Sequence, residues 1–177
     1  LKVLQKIGVP SEDLWRYSDD TENIGDPSTL SYTTARWSKI GSYWSIDKSL
    51  DSIKRALVEG PVLFGMFCFK EMYGNLIHGR IPYPADPKAK VGMHAVIAVG
   101  YDDNKEELCF KGSWSKLWGE AGYGYLPYDY VRDFCWDFWM VKDVYFNTET
   151  DNPSDPIAEF AKEMNDLMDL DDNPSAE

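Results

Sequence analysis

An α+β fold is predicted, and three observations carry the prediction. Ile46, Leu50, Ile53 and Leu57 recur at helical spacing, Val62 to Phe69 and His94 to Tyr101 are apolar runs of strand length, and residues 107–141 hold three more such segments separated by turns. The expected order is a helical lead-in, then mostly antiparallel strands, then an acidic helix.

Taken in order, Leu1, Leu4 and Ile7 share one face of a short helix that stops at Gly8, and Pro10-Ser11-Glu12 opens a turn. Ser18 to Leu30, rich in Asp, Ser, Thr, Gly and Pro, reads as a loop. Tyr32 to Trp44 mixes aromatic and polar residues irregularly and is expected to be extended. The Ile46–Leu57 helix has Asp47, Lys48, Asp51, Lys54 and Arg55 on its other face and must stop at Gly60-Pro61. Val62 to Phe69 reads as a strand buried on both faces, and Gly74 to Val91 as a long surface loop with His78 solvated inside it. His94 to Tyr101 and Glu107 to Lys111 form a hairpin around the polar turn Asp102 to Lys105. Gly122 to Leu126 and Trp136 to Val141 supply two more strands, with a turn at Tyr128 to Arg132 between them.

Composition changes at Asn147. Beyond it stand ten acids and one lysine, a charge of −9, which leaves −3 for residues 1–146. Residues 1–146 are therefore read as one domain and 147–177 as an acidic linker followed by an amphipathic helix. Asp155 caps that helix, Pro156 occupies its first turn, and Ile157, Phe160, Ala161, Met164, Leu167 and Met168 form its apolar stripe. The helix is expected either to pack on its own domain or to dock into another protein's groove. An acidic chain lacks the basic surface that nucleic-acid binding needs, and no apolar run reaches the roughly 18 residues of a membrane span. Cys68, Cys109 and Cys135 are odd in number and lie in apolar surroundings, so they read as free thiols and favour a reducing intracellular compartment. With only His78 and His94 and no Cys-x-x-Cys pair, a metal site is not expected. The chain opens at Leu1 and reads as a piece of a longer product.

The most informative stretch is Gly92 to Leu126. It contains His94-Ala95-Val96, Val99-Gly100-Tyr101, Ser113-Trp114, and Trp118-Gly119-Glu120 followed by Gly122-Tyr123-Gly124-Tyr125. Together with Gly8-Val9-Pro10-Ser11-Glu12 and Gly60-Pro61-Val62, these residues resemble the carboxyl-terminal half of the papain family of cysteine peptidases, over roughly residues 1–141. The resemblance implies a papain-like right-hand subdomain with an antiparallel β-barrel-like sheet. It also implies a chemistry in which an imidazole stabilises a cysteine thiolate and later protonates the leaving amine, with no cofactor. His94 takes the place of the general acid/base, Trp114 that of the tryptophan shielding it, and Trp118 that of an aromatic wall on the leaving-group side. Ala95 and Met93 fall where substrate is contacted.

Departures from the family pattern cluster on the same histidine. Gly112 stands where an asparagine normally orients the imidazole, Ser115 replaces a glycine, and Met93 replaces Asp, Asn or Gly. No cysteine occupies residues 1–60, and Cys68, Cys109 and Cys135 match structural positions. Three readings follow. The chain is the histidine-bearing part of a peptidase acting on polypeptides, with its cysteine supplied from elsewhere; or an inactive scaffold or binding subunit; or an unrelated β-rich domain with His94 in its core. On the first two, the face around His94, Trp114 and Trp118 needs covering by a cysteine-bearing half, another subunit or the chain's own tail.

Overall fold

The computed structural model describes residues 1–18, 25–73 and 77–146. The acidic linker and amphipathic helix expected over 147–177 lie outside the described residues. The described chain is mixed α and β, with helices α1 (Lys2–Lys6), α2 (Thr29–Ala35), α3 (Leu50–Glu59) and α4 (Tyr128–Phe134). Its strands are β1 (Ser38–Ser45), β2 (Val62–Phe69), β3 (Lys90–Asp102), β4 (Glu107–Lys111), β5 (Tyr123–Pro127) and β6 (Cys135–Phe146). They form an open sheet in the order β1-β6-β2-β3-β4-β5, with β2–β3, β2–β6, β3–β4 and β4–β5 antiparallel.

Two compact units divide the chain: residues 43–142, and residues 1–42 with the described residues from Asp143 onward. In the larger unit β2 sets the core. Val62, Phe64, Met66 and Cys68 point to its buried face, where they meet Val96 and Ala98 of β3, Leu108 and Phe110 of β4, Phe138 and Met140 of β6, and Ile53 of α3. Leu63, Gly65 and Phe67 on the other face are half-buried, so β2 is closed on one side and only partly covered on the other. Helix α3 starts where the Ser49 hydroxyl accepts the Ser52 N–H at 3.2 Å, and it buries Ile53 and Ala56 before Gly60 ends it.

Two segments differ from their expected structure. Tyr32 to Ala35 belongs to α2 instead of being extended, because the Ser28 hydroxyl caps Ser31 N–H at 3.1 Å and the buried Ser31 hydroxyl donates to Leu14 O at 3.1 Å. The helix is held by polar bonds, so no apolar stripe announces it. Tyr128 to Arg132 is the body of α4 and not a turn: Pro127 supplies an extended N-cap, while Tyr128, Tyr130, Val131 and Phe134 turn inward. The Tyr130 hydroxyl then donates to Phe67 O at 2.6 Å, tying α4 to β2.

Glycine packing anchors the segment between β4 and β5. Gly119 has φ +60, and a Cβ built there would lie 2.2 Å from Tyr123 O; at Gly79, with φ +71, the same oxygen would be 2.5 Å away. Backbones can approach this closely only without side chains. Replacing Gly119 with Ala is expected to cost roughly 2–4 kcal/mol, read as a lowered urea midpoint with an unchanged slope.

Candidate active site around His94

Pairing fixes where His94 sits. In the antiparallel register of β2 and β3, His94 lies opposite Met66, and Ala95 and Met93 lie opposite Gly65 and Phe67. Successive side chains of a strand alternate between faces. His94 therefore shares its side with buried Val96 and Ala98, while Met93, at 70 % exposure, Ala95, Ile97 and Val99 are exposed on the other side. The structure thus separates the expected site residues into two groups. His94, Trp114 and Trp118 come together; Ala95 and Met93 flank the histidine in sequence but project from the opposite face of β3.

An aromatic ladder holds the imidazole. Its ring stacks on Trp114 at 4.5 Å between centroids with 17° between planes. Trp114 meets the edge of Trp118 at 4.6 Å and 62°, and Trp118 meets core Phe110 at 5.8 Å. The Trp118 indole N–H donates to Met72 O at 3.3 Å, which fixes that ring at the border of the core. Tyr73, which sequence reasoning passed over, is exposed and stands 6.4 Å from Trp114. Nothing in the sequence marks it, because it falls between the apolar run ending at Phe69 and the loop expected from Gly74.

Stacking leaves His94 poorly solvated. Its Nε2 atom is buried and has no hydrogen-bond partner among the described residues. Burial pushes its pKa below the ordinary histidine value by penalising the imidazolium form. Gly112 offers no side-chain acceptor, and a Cβ there would lie 3.3 Å from Trp114 Cε3, so any larger residue requires the indole to give by a few tenths of an ångström. Ser115, at φ +74, holds a backbone conformation that suits glycine. Its Oγ accepts the Leu117 N–H at 3.2 Å, a local bond that helps hold the turn.

The three thiols are free. Burial raises the pKa of each, which is the opposite of what a nucleophilic cysteine needs. His78 is exposed, in a 3₁₀ turn at φ +52.

The described chain thus combines an antiparallel sheet and a helical lead-in with one desolvated histidine stacked against a tryptophan. A family model described as papain family cysteine protease matches residues 1–135, and the chain belongs to that family. It is 32 % identical over 157 residues to an uncharacterized peptidase C1-like protein of Acanthamoeba polyphaga mimivirus, a match covering 81 % of this chain and 50 % of the relative. Among solved structures it is similar to xylellain, a cysteine protease from Xylella fastidiosa, with 34 % identity, a TM-score of 0.71, and coverage of 81 % of this chain and 59 % of that one. The bromelain protease of Ananas comosus shares the fold at 21 % identity and a TM-score of 0.57, over 80 % of this chain and 66 % of that one. The chain spans about half the length of the curated relative it matches.

Titration of His94 checks the electrostatics. Because folding weakens proton binding, the stabilisation associated with the neutral ring is present above the unfolded value of about 6.5 and is lost as pH falls through the lower folded value. NMR of this chain, with His94 assigned by His94→Gln, is expected to show a pKa below that of an unfolded control. The same substitution is expected to flatten the pH dependence of stability in that window.

Proposed function

We propose that this chain supplies the histidine side of a cysteine-type peptidase that hydrolyses peptide bonds, with the nucleophilic thiolate contributed by residues outside this sequence or by another chain. The observation that carries the reading is the stacking of His94 on Trp114, which pins an imidazole against an indole while leaving Nε2 without a partner among the described residues. Membership of the papain family and 34 % identity with xylellain, described as a cysteine protease, support it.

In this reading the thiol passes its proton to His94, and the resulting thiolate attacks the peptide carbonyl carbon. The imidazolium returns the proton to the amine as the peptide bond breaks, leaving an acyl-enzyme that water hydrolyses with His94 as base. Trp114 keeps bulk water from one side of the ring. Trp118 supports Trp114 and walls the leaving-group side, while Ala95 and Met93, on the other face of β3, contact substrate or the covering partner. That partner is a cysteine-bearing half or another subunit covering the face around His94, Trp114 and Trp118, from which its thiol reaches the imidazole.

Gly112 favours a second reading, an inactive member retained as a structural or binding subunit. Without an acceptor at 112 the imidazole lacks the group that orients it, and its lowered pKa disfavours the charged form that a thiolate requires.

Peptide hydrolysis by the protein containing both halves discriminates the two. The peptidase reading expects turnover abolished by a thiol alkylating agent and reduced roughly 10²–10⁴-fold in kcat by His94→Ala. Gly112→Asn is expected to raise kcat about tenfold by restoring an orienting acceptor. Absence of thiol-dependent hydrolysis, or hydrolysis untouched by His94→Ala, sinks the peptidase reading in favour of the inactive subunit.

A further inference from the structure

The smaller unit carries an apolar surface that the described residues leave uncovered. Helix α1 buries none of its residues. Val3 is 61 % exposed, Leu30 58 % and Trp15 40 %. A cavity of about 220 Å³ opens among Val3, Ile7, Pro10, Trp15, Tyr32 and Ala35, close to the volume of one large apolar side chain, and its lining is mostly nonpolar. It is held in shape from beneath. Gly8, at φ +100, brings its backbone so close to Ala35 that a Cβ would lie 1.9 Å from Ala35 O, while Val9 N–H donates to Ser38 O at 3.0 Å and Gln5 Nε2 to Gly41 O at 2.8 Å. A preformed apolar cavity of this kind needs an occupant.

We infer that the occupant is the chain's own stretch from Ile157 to Leu167, docking in cis. Three observations point to it. First, delivery: β1 neighbours β6 in the sheet, and Ile46 N–H, just after β1, bonds Phe138 O near the start of β6; since helix α4 occupies the residues before Cys135, only an antiparallel run gives the whole of β1 a stretch of β6 to pair with. The far end of β6 therefore brings Phe146 alongside the start of β1, where Ser38 accepts the bond from Val9 beside the cavity. Second, length: ten residues, 147–156, separate Phe146 from Ile157, and ten residues of extended chain span at most about 33–36 Å, ample for the return. Third, chemistry: Ile157, Phe160, Ala161, Met164 and Leu167 recur at helical spacing, and the acids around them match the exposed Lys2 and Lys6 of α1. Neither lysine has an ion-pair partner among the described residues. The stripe supplies apolar side chains for a cavity of one-side-chain size, and Phe160 is the one whose size matches it.

Docking in cis is independent of peptidase activity, since the cavity and the stripe do not involve His94. Photocrosslinking of the full chain tests it, with a benzophenone side chain placed at position 160 in otherwise intact protein. The expected result is crosslinked peptides joining position 160 to residues 1–16 or 27–36, formed within one molecule when ¹⁴N and ¹⁵N chains are mixed. Yield is expected to fall at least several-fold in Ile7→Asp and to survive Ile7→Leu. It is also expected to drop when NaCl screens the lysines. Crosslinks only between molecules, crosslinks only to other surfaces, or crosslinks to these residues that are indifferent to Ile7→Asp each overturn the inference. Because the probe replaces one side chain outside the described fold, an absence of crosslinks in a protein with unchanged circular dichroism overturns it as well.

Discussion

The pairing of β2 with β3 is the constraint on which the remainder of the larger unit depends. It runs from Val62 opposite Ala98 to Phe69 opposite Lys90, and it fixes which side chains of β3 face the core. A register slip of one residue would send Val96 and Ala98 outward and place Ile97 and Val99 inside. It would also take His94 off Trp114. The histidine is thus positioned by the same alternation that fills the core, so its placement is inseparable from the stability of the sheet.

A second constraint is the space left by missing side chains. Gly79 and Gly119 allow two backbone segments to converge on Tyr123 O, and Gly124 leaves room beside Phe110 and Trp118, where a Cβ would come within 2.6 Å of either ring. Trp118 consequently rests on the core while Trp114 stands between it and the imidazole. The glycines between β4 and β5 place both tryptophans, and the tryptophans desolvate the histidine.

These features differ in how legible they are in the sequence. Apolar runs identified β2, β3 and β4, and apolar spacing identified α3, because each buries hydrophobic residues at its own period. Helix α2 stayed hidden since Ser28, Ser31 and Thr34 stabilise it through hydroxyl bonds, and α4 because a proline and an aspartate at its start resemble a turn. At the site, His94, Trp114 and Trp118 were marked by the family's residue order, and they do come together. The separation of Met93 and Ala95 from the histidine follows from strand alternation and could have been read from period two alone. Tyr73 could not, since its contact with Trp114 depends on how the segment after β2 folds back.

The environment of His94 links chemistry to assembly. Burial against Trp114 favours the neutral ring, whereas the proposed proton transfer from a thiol would require it to accept charge. A neighbouring thiolate is the group that reverses this, because an anion a few ångströms away favours the imidazolium in a poorly solvated setting. By linkage, whatever raises the proton affinity of His94 on association also strengthens association at a pH where the bound ring is charged and the free ring is not. On the proposed peptidase reading, the lowered pKa of His94 in this chain and an ion pair with a partner's thiolate would be two ends of a single thermodynamic cycle. On that reading, the desolvation that disfavours the charged form of His94 would also give a thiolate partner its leverage. Gly112 offers no side-chain acceptor to stabilise the charged ring, so on the same reading more of that stabilisation would come from the partner.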